Sequence, residues 1–98
     1  MKEKIAQKIQ VLKELQAIPS VGKSIAVCLY ELGIRSISDL KNKDPEKLYK
    51  ESNKIAGEKQ DPCLLYTFRC AVYFAKTENP DPKKLKWWYW KGRALDLK

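Results

Sequence analysis

The chain has 98 residues, which is room for one domain that buries a little over about 60% of its extended-chain surface. A hydrophobic content of 44%, a tenth of the residues being aromatic, excludes a disordered segment. Twenty Lys and Arg against 12 Asp and Glu leave a net charge of +8, which suits a polyanionic partner without specifying one.

In chain order, a first helix over 2–17 is supported by Ile5, Ile9, Leu12 and Leu15 at helical spacing. Its start, MKEKIAQKIQVL, mixes charge into the apolar pattern and so lacks the uninterrupted apolar region of a signal peptide. A tight turn, Pro19-Ser20-Val21-Gly22, leads into a second helix over 23–32 with Ile25, Cys28, Leu29 and Leu32 on one stripe and Gly33 as its stop. A short helix over 36–42 follows, where Ser36 and Asp39 have the spacing of a capping box with Asp in place of Glu.

Asp-Pro then occurs three times, at 44–45, 61–62 and 81–82. Each pair offers a capping carboxylate followed by a proline at the first helical position, so helices are expected to begin near 45, 62 and 82. Over 45–55, Lys47, Lys50 and Lys54 share a face with Lys43 just ahead, while Leu48 and Ile55 share another. This helix belongs at the surface. Over 62–76 only Thr67 and Arg69 interrupt CLLYTFRCAVYFA, so that helix belongs in the middle of the fold. Arg69 there needs a partner, and a structural ion pair with one of the acids is expected.

The expected architecture is all-α and a single domain over 1–98. Five to six helices form two helical hairpins, 2–32 and 45–76, around the 36–42 connector, with the aromatic segment 82–98 packed on the bundle.

Helix N-termini attract anions through unpaired N–H groups and the helix dipole. Glu3, Asp39, Asp44, Asp61 and Asp81 each place a carboxylate at or within the first turn of an expected helix, whereas Gly22-Lys23-Ser24 has no acid until Glu31. That start alone is left for an outside anion. The lysines at 43, 47, 50 and 54 offer a secondary basic surface. Segment 83–93, KKLKWWYWKGR, carries five basic residues, no acid and four adjacent aromatics. It reads either as a clamp of rings on the core or as a stacking surface for a single strand.

No histidine occurs, so the usual general base and the usual metal ligand are both missing. There is no P-loop, no carboxylate cluster and no CxxC, so the reading is non-enzymatic, without metal or cofactor. Cys63 and Cys70 lie two helical turns apart, about 10 Å, too far for a disulfide. Cys28 falls on a packing stripe. Free thiols, no signal peptide and no membrane span point to the cytoplasm.

Residues 15–34, LQAIPSVGKSIAVCLYELGI, resemble the helix-hairpin-helix motif of DNA-binding proteins. The resemblance implies contact with the sugar-phosphate backbone at Ser20, Val21, Gly22, Lys23 and Ser24, without base reading. Residues 45–76 resemble a second, degenerate hairpin in which Glu58 and Asp61 follow Gly57 and would repel a phosphate. The motif usually has glycine at both turn positions, and here the first is Ser20. A positive φ there costs serine about 1–2 kcal/mol; otherwise its hydroxyl is free to meet the phosphate. From 10 to 91, IPSVGKSIA, LGIRSISDL, QDPCLLYTFRCAVYF and PDPKKLKWWYWK resemble the small bacterial helix-hairpin-helix proteins of the pathogenicity locus family. That resemblance implies a DNA-binding fold with no established activity, and the function expected from the turn and the charge is a sequence-nonspecific module for DNA, with RNA as the other nucleic acid. The alternative is a helical protein-interaction domain that uses the basic, aromatic C-terminal surface.

Overall fold

The structure, a computed structural model, describes the backbone of residues 2–93 and the side chains of residues 5–93. The carboxylate of Glu3 and the last five residues of segment 82–98 lie outside that range. Four α-helices, α1 (Lys2–Leu15), α2 (Lys23–Glu31), α3 (Pro45–Ala56) and α4 (Pro62–Lys76), are joined by irregular chain and by 3-10 turns at Ile37–Leu40, Pro82–Leu85 and Trp87–Trp90. No strand occurs among the described residues, and no helix there is long and apolar enough to cross a membrane. The fold class is all-α. The expected count of five to six helices is corrected to four, because the connector and the C-terminal start each form one 3-10 turn. The connector stops before Asp44-Pro45, where proline disfavours helical backbone at the residue ahead of it. The C-terminal one stops at Lys86, whose backbone is extended.

All three Asp-Pro pairs behave as expected. Asp44 accepts from the Glu46 N–H at 2.9 Å, Asp61 from Cys63 at 2.9 Å and Asp81 from Lys83 at 3.0 Å. At the connector, Ser36 Oγ accepts from the Asp39 N–H at 3.3 Å, but the shorter Asp39 carboxylate turns to the Arg35 N–H at 2.9 Å. α2 ends at Gly33 with φ +90°, where the Ile34 N–H reaches back to the Leu29 carbonyl at 3.0 Å and carries Ile34 into the core.

α4 is the centre. Phe68, Cys70, Ala71 and Val72 are completely buried, and α3, the connector turn and both C-terminal turns pack on this helix. One of its two polar interruptions is satisfied locally: Thr67 Oγ1 donates to the Cys63 carbonyl at 2.9 Å. α3 buries Pro45, Leu48, Tyr49 and Ser52, and leaves Ile55 largely exposed rather than packed with Leu48. The linker between α3 and α4 is held by Gln60, whose side chain donates to Ser52 Oγ at 2.8 Å and whose N–H donates to Asn53 Oδ1 at 3.0 Å.

The stripe expected on α1 is only half used. Leu15 is fully buried and Leu12 partly, but Ile5 and Ile9 are 60% and 49% exposed. α1 packs mainly on α2, and 14 residues span about 21 Å where nine span about 13 Å. The first turns of α1 therefore overhang the partner that would cover them.

Arg69 forms the expected ion pair. Its guanidinium donates twice to Glu46 Oε1, at 2.6 and 3.0 Å, and once to the Trp90 carbonyl at 2.9 Å. One side chain thus ties α3, α4 and the C-terminal turn together. Its side chain is 11% exposed against 46% for Glu46, so truncation leaves a carboxylate that water can reach. Arg69→Ala should lower unfolding free energy by about 2–3 kcal/mol, read as a reduced urea midpoint. A change within about 0.5 kcal/mol would mean the tail is not held by this residue.

Candidate nucleic-acid interface

The turn between α1 and α2 is pinned by Leu15, Ile18 and Val21, all buried at a three-residue spacing. The Ile18 and Val21 N–H groups donate to the Leu15 and Ile18 carbonyls at 3.1 Å. Gly22 then takes an extended conformation, φ −92° and ψ −171°. The first α2 bond runs from the Ala26 N–H to the Gly22 carbonyl at 2.9 Å, so the N–H groups of Lys23, Ser24 and Ile25 have no acceptor within the helix. No side chain caps this start, and its first turn holds no acid. A Cβ placed on Gly22 would meet nothing within 4 Å. The space ahead of the helix is open, and Gly22, Lys23 and Ser24 border it, all exposed.

Ser20 and Val21 are placed otherwise. The Val21 side chain is buried and its N–H is already used. Ser20 has φ +73°, so it carries the left-handed strain. Its Oγ donates to the Leu85 carbonyl at 3.0 Å. The hydroxyl proton is therefore committed to the C-terminal segment and does not face the open helix start. A contact between residues 65 positions apart leaves no local trace in the sequence.

The C-terminal rings divide. In a 3-10 turn residues three apart eclipse, so Trp87 and Trp90 share a side and Trp88 leaves on another. Trp90 is buried, with its indole N–H donating to the Lys84 carbonyl at 2.8 Å and its ring 5.4 Å from that of Tyr73. Trp88 is 56% exposed. The expectation that this segment packs on the bundle holds for Trp90 and is corrected for Trp88, because a turn of this pitch cannot bury both. Trp88 and Tyr89 instead line an open cleft of about 500 Å³ with Lys83, Lys86, Lys91 and Arg93.

Residues 8–94 match the family described as Pathogenicity locus. The chain belongs to the pathogenicity locus family. It is also 34% identical over 77 residues to the mitomycin resistance protein McrB of Streptomyces lavendulae, across 79% of this chain and 70% of that protein. No solved structure matches. In this pathogenicity locus protein the family match takes in both the 20–24 turn and the 83–93 cleft.

The remaining sequence candidates lie apart. Lys43, Lys47, Lys50 and Lys54 are all exposed. Lys43 and Lys47 border a depression with Asp44 and Glu51, whose carboxylates offset their charge. Lys43 precedes α3, and within the helix Lys47 and Lys54 are about 10 Å apart along the axis. The far end of α3 is nearer the turn, since Ile55 and Ala56 line a cleft of about 310 Å³ together with Ser24. Cys28 lies in that same cleft, half-buried rather than in the core, with Sγ 3.1 Å from Ser52 Oγ. Burial pushes its thiol up, against what a nucleophile needs. All three cysteines are free.

Cys70 sits beneath the turn. Its Sγ is 3.7 Å from the Lys84 carbonyl, 3.8 Å from that of Pro19 and 3.9 Å from Ser20 Oγ. Burial pushes its thiol from the ordinary 9.0 up to about 11.

Two outcomes follow for this junction. Ser20→Ala keeps the strained φ and loses the bond to Leu85, so stability should fall by about 1 kcal/mol. Ser20→Gly relieves the strain but frees the unfolded chain, and should fall by less than half as much; equal losses in urea melts would contradict this account. As pH rises past 9 the unfolded chain sheds the Cys70 proton while the folded chain holds it to about 11. The unfolded state then binds fewer protons, and stability declines through that window. Cys70→Ala should show a shallower decline in urea midpoints between pH 8 and 11, and parallel curves would exclude the thiol as the cause.

Proposed function

We propose that this protein is a non-catalytic, sequence-nonspecific DNA-binding module of the helix-hairpin-helix kind. A backbone phosphate sits at the α2 start, on the free N–H groups of Lys23, Ser24 and Ile25, with the Lys23 ammonium and the Ser24 hydroxyl beside it. The observation that carries the reading is the open start itself. Asp44, Asp61 and Asp81 cap the starts they precede, while α2 has neither a side-chain cap nor an acid in its first turn. An N-terminus of this kind favours a phosphate through both its donors and its dipole. Backbone contacts fix position without specifying sequence, consistent with a start that presents main-chain N–H groups. RNA offers the same phosphate chemistry.

A second reading, a protein-interaction domain using the basic and aromatic C-terminal surface, is favoured by the exposure of Trp88. It assigns no role to the α2 start.

Fluorescence anisotropy with several unrelated duplexes separates the two. With about three to five phosphates neutralised, log K should fall against log salt with a slope of about −3 to −4.5, alike for each sequence. Gly22→Ala places a methyl group where the phosphate would lie but meets nothing in the fold. It should weaken duplex binding several-fold while leaving stability within about 1 kcal/mol. Lys23→Glu should weaken binding more. A flat salt response, or wild-type affinity in both variants, removes the reading.

A further inference from the structure

The cleft around Trp88 has no part in the hairpin contact, and its composition is unusual. It is lined by Lys83, Lys86, Trp88, Tyr89, Lys91 and Arg93, two rings flanked in sequence by two cations on each side. None of these four cations forms an ion pair with a carboxylate among the described residues. Lys86 Nζ stands 5.6 Å from the Trp88 ring centroid, and the Arg93 guanidinium 4.3 Å from that of Tyr89. The turn is firmly seated, because Trp90 is buried and its carbonyl is held by Arg69. An exposed tryptophan on a rigid mount, among unpaired cations, is a stacking platform beside phosphate-binding charge.

A single strand carries both complementary features at every residue, a planar base and a phosphate, whereas an acidic peptide supplies charge without the ring. The cleft volume of about 500 Å³ is ligand-sized. Its position is equally informative. Ser20 Oγ is bonded to the Leu85 carbonyl, and three residues from Leu85 to Trp88 span at most about 10 Å. At about 3.4 Å per nucleotide along one strand, that stretch of backbone between the Ser20 contact and Trp88 corresponds to about three nucleotides.

We propose that the Trp88 cleft binds unpaired nucleotides, a base stacking on Trp88 and phosphates lying among Lys83, Lys86, Lys91 and Arg93, so that the molecule prefers DNA where a duplex opens into a single strand. The duplex half of this preference rests on the hairpin reading; stacking in the cleft stands without it.

The test is an anisotropy panel of three labelled DNAs: a blunt duplex, the same duplex with a six-nucleotide dT overhang, and dT12. Wild type, Trp88→Ala, Trp88→Phe and Lys23→Glu are compared at one salt concentration, each checked by thermal melt. Wild type should bind the overhang duplex at least fivefold more tightly than the blunt one. Trp88→Ala should lose that preference and bind dT12 about 5- to 150-fold more weakly, the worth of one stacked base, with blunt-duplex binding within twofold of wild type. Trp88→Phe should retain most of the preference. Lys23→Glu should weaken the blunt duplex and leave dT12 unchanged; if the blunt duplex is unaffected while Trp88→Ala still loses dT12, the hairpin reading fails and the cleft stands. Equal dT12 binding by Trp88→Ala and wild type overturns the proposal. So does displacement of dT12 by polyglutamate as effective as by unlabelled dT12 at matched charge, which marks a site for acidic protein.

Discussion

Helix α4 has no polar face, so every side of it has to be covered by something else in a chain of 98 residues. α3, the connector turn and both C-terminal turns pack on it. The chain's arrangement around that demand explains most of what lies far from α4. The segment after Pro82 returns because Trp90 is needed in the core, and Arg69 holds it there through the Trp90 carbonyl while pairing with Glu46. A 3-10 turn that buries Trp90 cannot also bury Trp88. Exposure of Trp88 is thus a geometric consequence of covering α4.

The same return places Leu85 against the turn that precedes α2. Ser20 stands in left-handed backbone where glycine would be relaxed, and its hydroxyl bond to Leu85 offsets a strain of similar size. Cys70 fills the space beneath, its thiol kept protonated by burial. The turn is therefore fixed from below by Leu15, Ile18 and Val21 and from the side by the tail. Only its outer edge, Gly22 to Ser24, is left unoccupied. A rigid turn with unused N–H groups suits anion binding because the donors need no reorganisation when the ligand arrives.

Much of the fold was legible in the residues because its signals are local. Asp-Pro marks three starts since a capping carboxylate and a fixed φ act within two residues of each other. Gly33 marks an end for the same kind of reason, and the bounds of α4 follow from Asp61-Pro62 and the apolar run. The errors are where distant packing decides. Ile5 and Ile9 have the spacing of a buried stripe, but spacing does not report that α2 is too short to cover them. Ile55 has the right phase to join Leu48, but it stands at the rim of the α2–α3 cleft. In the candidate interface, the absence of an acid between Gly22 and Glu31 was readable directly. The capture of the Ser20 hydroxyl by Leu85 was not, and neither was the division of the tryptophans, which depends on the pitch of one turn.

The central claim, that the α2 start receives a phosphate that the α3 and α4 starts have already excluded with their capping carboxylates, is a statement about individual backbone amides. The most direct measurement is a titration of the isotope-labelled protein with a short duplex, followed by amide proton and nitrogen chemical shifts. The account predicts that the largest changes fall on Lys23, Ser24 and Ile25, with those of Glu46 and Cys63, whose N–H groups are capped by Asp44 and Asp61, nearly still. Largest shifts on the face of Lys43, Lys47 and Lys50, with the α2 start unmoved, would contradict it.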